Sequence, residues 1–150
     1  MGAFRTAGSG PGSGGGPPAL LLLLLVAPAG STAAVPGCGW REPPRTYPEG
    51  VRWACTAVAW TDGDTLAARC DGRAGLVMVR PRGVYADERG EGRWRRAREE
   101  LRRRTEGRAL DVAPHHDSHR RVVADVRAGG VDVGAAMHAA GWSKGGCPKR

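Results

Sequence analysis

The sequence predicts a small α+β domain, mainly β with two helices, in the order β-β-β-α-β-β-α. Three observations lead there. Short runs that alternate apolar and polar residues flank a turn signal at Asp62-Gly63. An arginine-rich segment at 93–104 repeats apolar residues at helical spacing. Two more short apolar runs then lead into a second helical stretch that stops at Gly141. Five short strands with a helix between the third and fourth suit an OB-fold, a five-stranded Greek-key barrel. A short α+β sandwich is the alternative.

In the first strand Trp53, Cys55, Ala57 and Ala59 alternate with Ala54, Thr56, Val58 and Trp60. If Asp62-Gly63 forms a two-residue turn, residues 65–70 return as the second strand. Ala59 then faces Leu66, Ala57 faces Ala68 and Cys55 faces Cys70, which makes one face apolar throughout. The same register sets the two cysteines within disulfide reach. A third strand is expected at 76–84, and Pro81 places its end at a sheet edge because proline has no N–H for a ladder. The helix at 93–104 gathers Trp94, Ala97 and Leu101 on one face, under seven arginines that read as a solvated surface. Gly107 ends it. A fourth strand at 109–113, a polar loop at 115–120, and a fifth strand at 122–126 follow. The last helix, at 132–140, turns Val133, Ala136, Met137 and Ala140 inward. The five tryptophans (Trp40, Trp53, Trp60, Trp94 and Trp142) read mainly as packing, with base stacking as the alternative.

The chain of 150 residues is one domain with additions. Residues 1–34 read as a signal peptide: Arg5, a leucine-rich apolar run at 19–27, and small residues before a cut after Ala33 or Ala34. That run is shorter than the ~20 residues of a membrane-spanning helix, so no span is expected. Residues 35–50 form an extended Pro/Gly-rich arm, 51–144 the domain, and 145–150 a tail. A secreted or periplasmic location follows, and a monomer is expected. Val35-Pro36-Gly37-Cys38 also resembles a lipobox, the alternative in which Cys38 anchors a lipoprotein. Losing Arg5 with the leader takes the formal charge from +8 to +7, which suits an anionic partner such as nucleic acid or an acidic glycan. All four cysteines follow the cut and read as two disulfides. With Cys55 on Cys70, Cys38 and Cys147 would tie the arm to the tail. No Cys-x-x-Cys spacing supports zinc on cysteines. His115, His116 and His119 offer a His-x-x-x-His spacing, but Pro114 and Asp117 argue for a loop there rather than a metal-binding helix.

Four segments carry a family resemblance. These are Asp62-Gly63-Asp64-Thr65, the stretch from Val79-Arg80 to Asp87-Glu88, Asp117-Ser118-His119-Arg120-Arg121, and Asp132-Val133-Gly134-Ala135-Ala136-Met137 running out through Gly141-Trp142. In this order and spacing, over about 90 residues, the chain resembles a divergent thermonuclease-like (staphylococcal-nuclease-like) domain. The resemblance implies a calcium-dependent nuclease acting on DNA or RNA. It implies that Arg80 and Arg121 face phosphate, Glu88 is the catalytic carboxylate, and Asp64 helps to hold Ca2+. The chemistry suits the residue types. Arginine offers phosphate a planar, permanently charged fork, a carboxylate can orient or deprotonate water, and calcium takes oxygen ligands. Two departures stand out. Tyr85 replaces the second expected calcium ligand, and Asp87 stands where the family has proline, two residues beyond, as a substitute ligand. The alternative they raise is a non-catalytic OB-fold module that binds nucleic acid or another polyanion without the metal.

Overall fold

A computed structural model describes residues 42–144. Strands β1 (Trp53–Trp60), β2 (Leu66–Cys70) and β3 (Leu76–Pro81) form an antiparallel meander. Helix α1 (Trp94–Thr105) follows, then β4 (Ala109–Ser118), β5 (Arg121–Ala128), the two-residue β6 (Val131–Asp132) and helix α2 (Val133–Ala139). The sheet runs β3-β2-β1-β4-β5-β6, and β3 also pairs with β5 in parallel. That pairing closes the first five strands into a barrel. The protein is mainly β, with two helices. Among the described residues no helix is long and apolar enough to cross a membrane.

Closure corrects the placement of Pro81 at an edge. Val79, Arg80 and Pro81 pair with Val122, Val123 and Ala124, and Pro81 is buried. Proline cannot donate to that ladder, and the next residue does so instead, Arg82 N–H reaching Ala124 O at 2.8 Å.

The first hairpin corrects the two-residue turn. Cys55 and Ala57 do face Cys70 and Ala68, but Ala59 faces Ala67 and Trp60 faces Leu66. Val58 is the extra residue of a β-bulge, and such an insertion moves the following side chains to the other face. Ala59 is exposed as a result, while Trp60 packs on the core. Its indole N–H donates to Thr105 Oγ1 at 2.8 Å, tying α1 to β1.

The fourth strand is ten residues long rather than five, so His115 to Ser118 extend the ladder instead of forming a loop. The core is filled by Leu66, Val79, Leu101, Leu110, Val126 and Met137. Helix α1 buries Ala97, Leu101 and Thr105 against it. The arginines of its last turn pair with neighbours on the same helix surface, Arg102 with Glu106 and Arg103 and Arg104 with Glu100. Arg102 and Arg103 form the expected solvated face, whereas Arg104 is half-buried.

Cys55 and Cys70 form a disulfide, with Cα atoms 4.0 Å apart. Cys38, Cys147, the expected leader and the tail lie outside the described residues. The bond closes a loop of 15 residues, for which chain entropy gives about 3 kcal/mol. The Cys55→Ala/Cys70→Ala double variant is expected to lose about that much in urea denaturation. A loss below about 1 kcal/mol would show that the bulged hairpin holds its register without the bond.

Candidate functional site

The site is organised by the β1–β2 connection. Thr61 N–H donates to Thr65 O at 3.0 Å, and Asp64 N–H donates to Asp62 Oδ1 at 3.1 Å, a side-chain-to-backbone bond typical of aspartate in turns. Gly63 lies so close to the 82–93 segment and α1 that a β-carbon on it would come within 2.6 Å of Ala86 Cβ and 2.4 Å of Ala97 Cβ. This close seating accompanies the burial of the next residue, Asp64, which is 6% exposed.

Three elements then converge on Asp64. From β3, Arg80 Nη2 donates to Asp64 Oδ2 at 3.0 Å and to Val84 O at 3.2 Å. From the following segment, Ala86 N–H donates to the same Oδ2 at 3.2 Å. From the start of β5, Arg121 Nη1 donates to Thr65 Oγ1 at 3.0 Å and lies 3.9 Å from Asp64 Oδ1. Thr65 Oγ1 in turn donates to Oδ1 at 2.9 Å. Arg121 is delivered by a tight connection in which His119 and Arg120 both adopt left-handed backbone, with φ of 49° and 61°. Non-glycine residues adopt that region at a cost of roughly 1–2 kcal/mol each.

Two guanidinium groups thus meet the buried Asp64 carboxylate, with the Asp62 carboxylate beside it in the turn. Arg121 Nε is buried with no acceptor among the described residues. Burial pushes the Asp64 carboxyl above the ordinary carboxylate value and outweighs the downward pull of Arg80. The Arg80 guanidinium lies 4.9 Å from the centre of the Tyr85 ring, a cation–π distance. Burial raises the Tyr85 phenol above its usual value, so residue 85 supplies no anion at neutral pH. Beside Arg121 opens a cleft of about 540 Å³, lined by Arg73, Arg120, Arg121 and Asp117 and by apolar residues that include Leu76 and Met78.

The other expected site residues lie on the segment after β3. Asp87 accepts Arg93 N–H at 3.0 Å at the start of α1, and Lys144 lies 3.7 Å from it. Glu88 is exposed, and its backbone N–H donates to Glu91 Oε2 at 2.8 Å. Lys144 also pairs with Glu91. The structure therefore brings Asp64, Arg80 and Arg121 together, while Asp87 is engaged at the start of α1 and the exposed Glu88 carboxylate is not among the groups that converge on Asp64.

This donor set does not fit calcium, which takes six to eight oxygen ligands. Asp64 already accepts bonds from Thr65, Arg80 and Ala86, and an arginine-stacked tyrosine stands at the second expected ligand position. Among the described residues, the group of three His or carboxylate residues close enough to share an ion is a different one, Glu42, His115 and His116. Sequence reasoning missed Glu42 because its partners lie more than 70 positions away. It missed the role of Thr65 although the Asp-Gly-Asp-Thr segment pointed directly at it. No protein-family model matches the chain, and neither does any curated protein.

Proposed function

We propose that this chain is an exported, divergent thermonuclease-like protein with an OB-type Greek-key barrel, which engages the phosphodiester backbone of nucleic acid and hydrolyses it. The observation that carries the reading is the meeting of Arg80 and Arg121 around the buried carboxylate of Asp64. Phosphate oxygens would take the donors that Asp64 and Thr65 leave unused, above all on Arg121. Charge accumulating on those oxygens in the transition state would be offset by both guanidinium groups. Asp64 would hold Arg80 in place as its counter-ion. Glu88, exposed on the neighbouring segment, would orient the attacking water once a strand is bound. The arginine-rimmed cleft beside Arg121 has room for an adjoining nucleotide.

A second reading, binding without cleavage, is favoured by the Tyr85 ring lying against Arg80. Purified protein incubated with single-stranded DNA, in calcium or in chelator, separates the two. Cleavage that falls by about 100-fold or more in Arg121→Ala, the scale of losing one oxyanion donor, supports hydrolysis at this site. Binding that weakens steeply with salt, with no cleavage in either condition, supports the second reading. Neither binding nor cleavage would sink both.

A further inference from the structure

We infer that Glu42, His115 and His116 form a zinc site on the outer side of β4, built by a bulge and completed by the N-terminal arm. Neighbouring residues of a regular strand point to opposite faces. Here the pairing with β5 steps from Pro114–Ala124 to His116–Val123, so His115 is an inserted residue. The bulge brings the two adjacent imidazoles together, with their Nδ1 atoms 2.9 Å apart. Bulges often re-aim side chains in this way at functional places.

The arm supplies the third donor. Thr46 and Tyr47 N–H groups donate to His115 O at 2.8 and 3.3 Å, and Arg45 Nη1 donates to Pro114 O at 2.9 Å. Tyr47 Oη donates to Asp117 Oδ1 at 2.8 Å. These bonds lay residues 45–47 along β4 and carry Glu42 to the histidines. One donor atom from each of the three residues lies within 4.8 Å of the other two. His116 is 5% exposed, and Glu42 is largely shielded, so the site is partly closed to solvent.

Two imidazoles and one carboxylate, with a fourth position for water, match the ligand types of a tetrahedral zinc site. Zinc–nitrogen bonds of about 2.0–2.1 Å set tetrahedral nitrogens about 3.4 Å apart. The pair needs to open by about half an ångström, which a side-chain rotation supplies. The Nδ1 atoms share a hydrogen bond in which one of them carries a proton. Ligation through both Nδ1 atoms shifts that ring to the Nε2–H tautomer, so neutral imidazoles bind without net proton release. The local competitor for the carboxylate is Arg82, whose Nε lies 3.4 Å from Glu42 Oε1. Its Nη1 also lies 3.2 Å from Asp125 Oδ2, a partner to which it can turn when zinc binds.

The test uses the full chain, free of any affinity tag, titrated with zinc by calorimetry and with cobalt(II) by visible absorption. One equivalent of zinc and a tetrahedral cobalt spectrum are expected. Glu42→Gln and His116→Gln should each weaken zinc by more than about tenfold, the scale at which even supporting residues act. His119→Ala should leave the affinity unchanged. Arg82→Gln should tighten zinc by about threefold or more, because it removes a competing positive charge. Should His116→Gln fail to fold by circular dichroism, Glu42→Gln and Arg82→Gln decide the matter. Absence of stoichiometric zinc at micromolar concentrations overturns the site. So does binding that Glu42→Gln leaves intact or that Arg82→Gln weakens.

Discussion

Gly63→Ala is expected to destabilise the domain by more than about 3 kcal/mol, at or beyond the upper end of ordinary overpacking. The new methyl would sit 2.4 Å from Ala97 Cβ, 2.6 Å from Ala86 Cβ and 3.1 Å from the Ala97 carbonyl carbon. Carbon atoms pack comfortably at about 3.5–4.0 Å. Every neighbour is a short side chain or backbone, so no flexible chain end can move aside. Relief requires α1 or the 82–93 segment to shift, and both are anchored. Ala97 and Leu101 are buried in the core, and Ala86 N–H is bonded to Asp64. Against a total stability of about 5–15 kcal/mol, such a loss leaves a marginal fold. Gly92→Ala, where a β-carbon meets nothing within 4 Å, is the matched control. Urea denaturation of both variants checks this, and a Gly63→Ala loss under about 1 kcal/mol would contradict the packing argument. The site should suffer with the fold, because a shift of the 82–93 segment pulls Ala86 N–H away from Asp64.

Arg80→Ala should cost about 3–5 kcal/mol at neutral pH, the usual penalty for leaving one member of a buried ion pair alone. Asp64 is the member left behind, with its side chain 8% exposed. The deficit has a definite pH dependence. In the native protein Arg80 lowers the Asp64 pKa, burial raises it, and burial prevails. Removing Arg80 moves the folded-state value further above the ordinary 3.8. A group with a raised folded value contributes its stability below the unfolded pKa and loses it as pH rises through the folded one. The variant should therefore lie closest to wild type near about pH 3 and fall progressively behind toward neutrality. Urea midpoints measured from acid to neutral pH test this. A deficit that is constant across the range would show that Arg80 acts through packing on Tyr85 rather than through its charge. Arg121→Ala should cost less, since Arg121 lies 3.9 Å from the carboxylate and reaches it through Thr65. The two arginines thus differ in kind: Arg80 holds the site together, and Arg121 is the freer donor for phosphate.

Local signals explain which elements were readable from the chain. Alternation placed β1 and β2, and the register from Ala57 back to Cys55 correctly paired Cys55 with Cys70. Helical periodicity placed α1 within one residue at each end. The errors have particular causes. The Val58 bulge leaves no mark in an alternating pattern, because valine is at home in either face of a strand. Pro81 looks like an edge residue until the parallel β3–β5 pairing, made across more than 40 positions, puts it inside a closed barrel. His115 to Ser118 look like a polar loop because their pairing partners on β5 are what make them a strand.

The sequence by itself determined the type of the main elements and the basic character of the chain, since periodicity and charge are local properties, while Asp64, Arg80 and Arg121 were singled out by the family resemblance alone. Only the tertiary structure decided how those residues are used. Barrel closure brings β3 and β5 side by side, and with them Arg80 and Arg121 to the same buried carboxylate. The docked arm brings Glu42 to a pair of histidines that a bulge had turned together. In both places the chemistry depends on distances between segments far apart in the chain, and those distances are set by packing that no local pattern encodes.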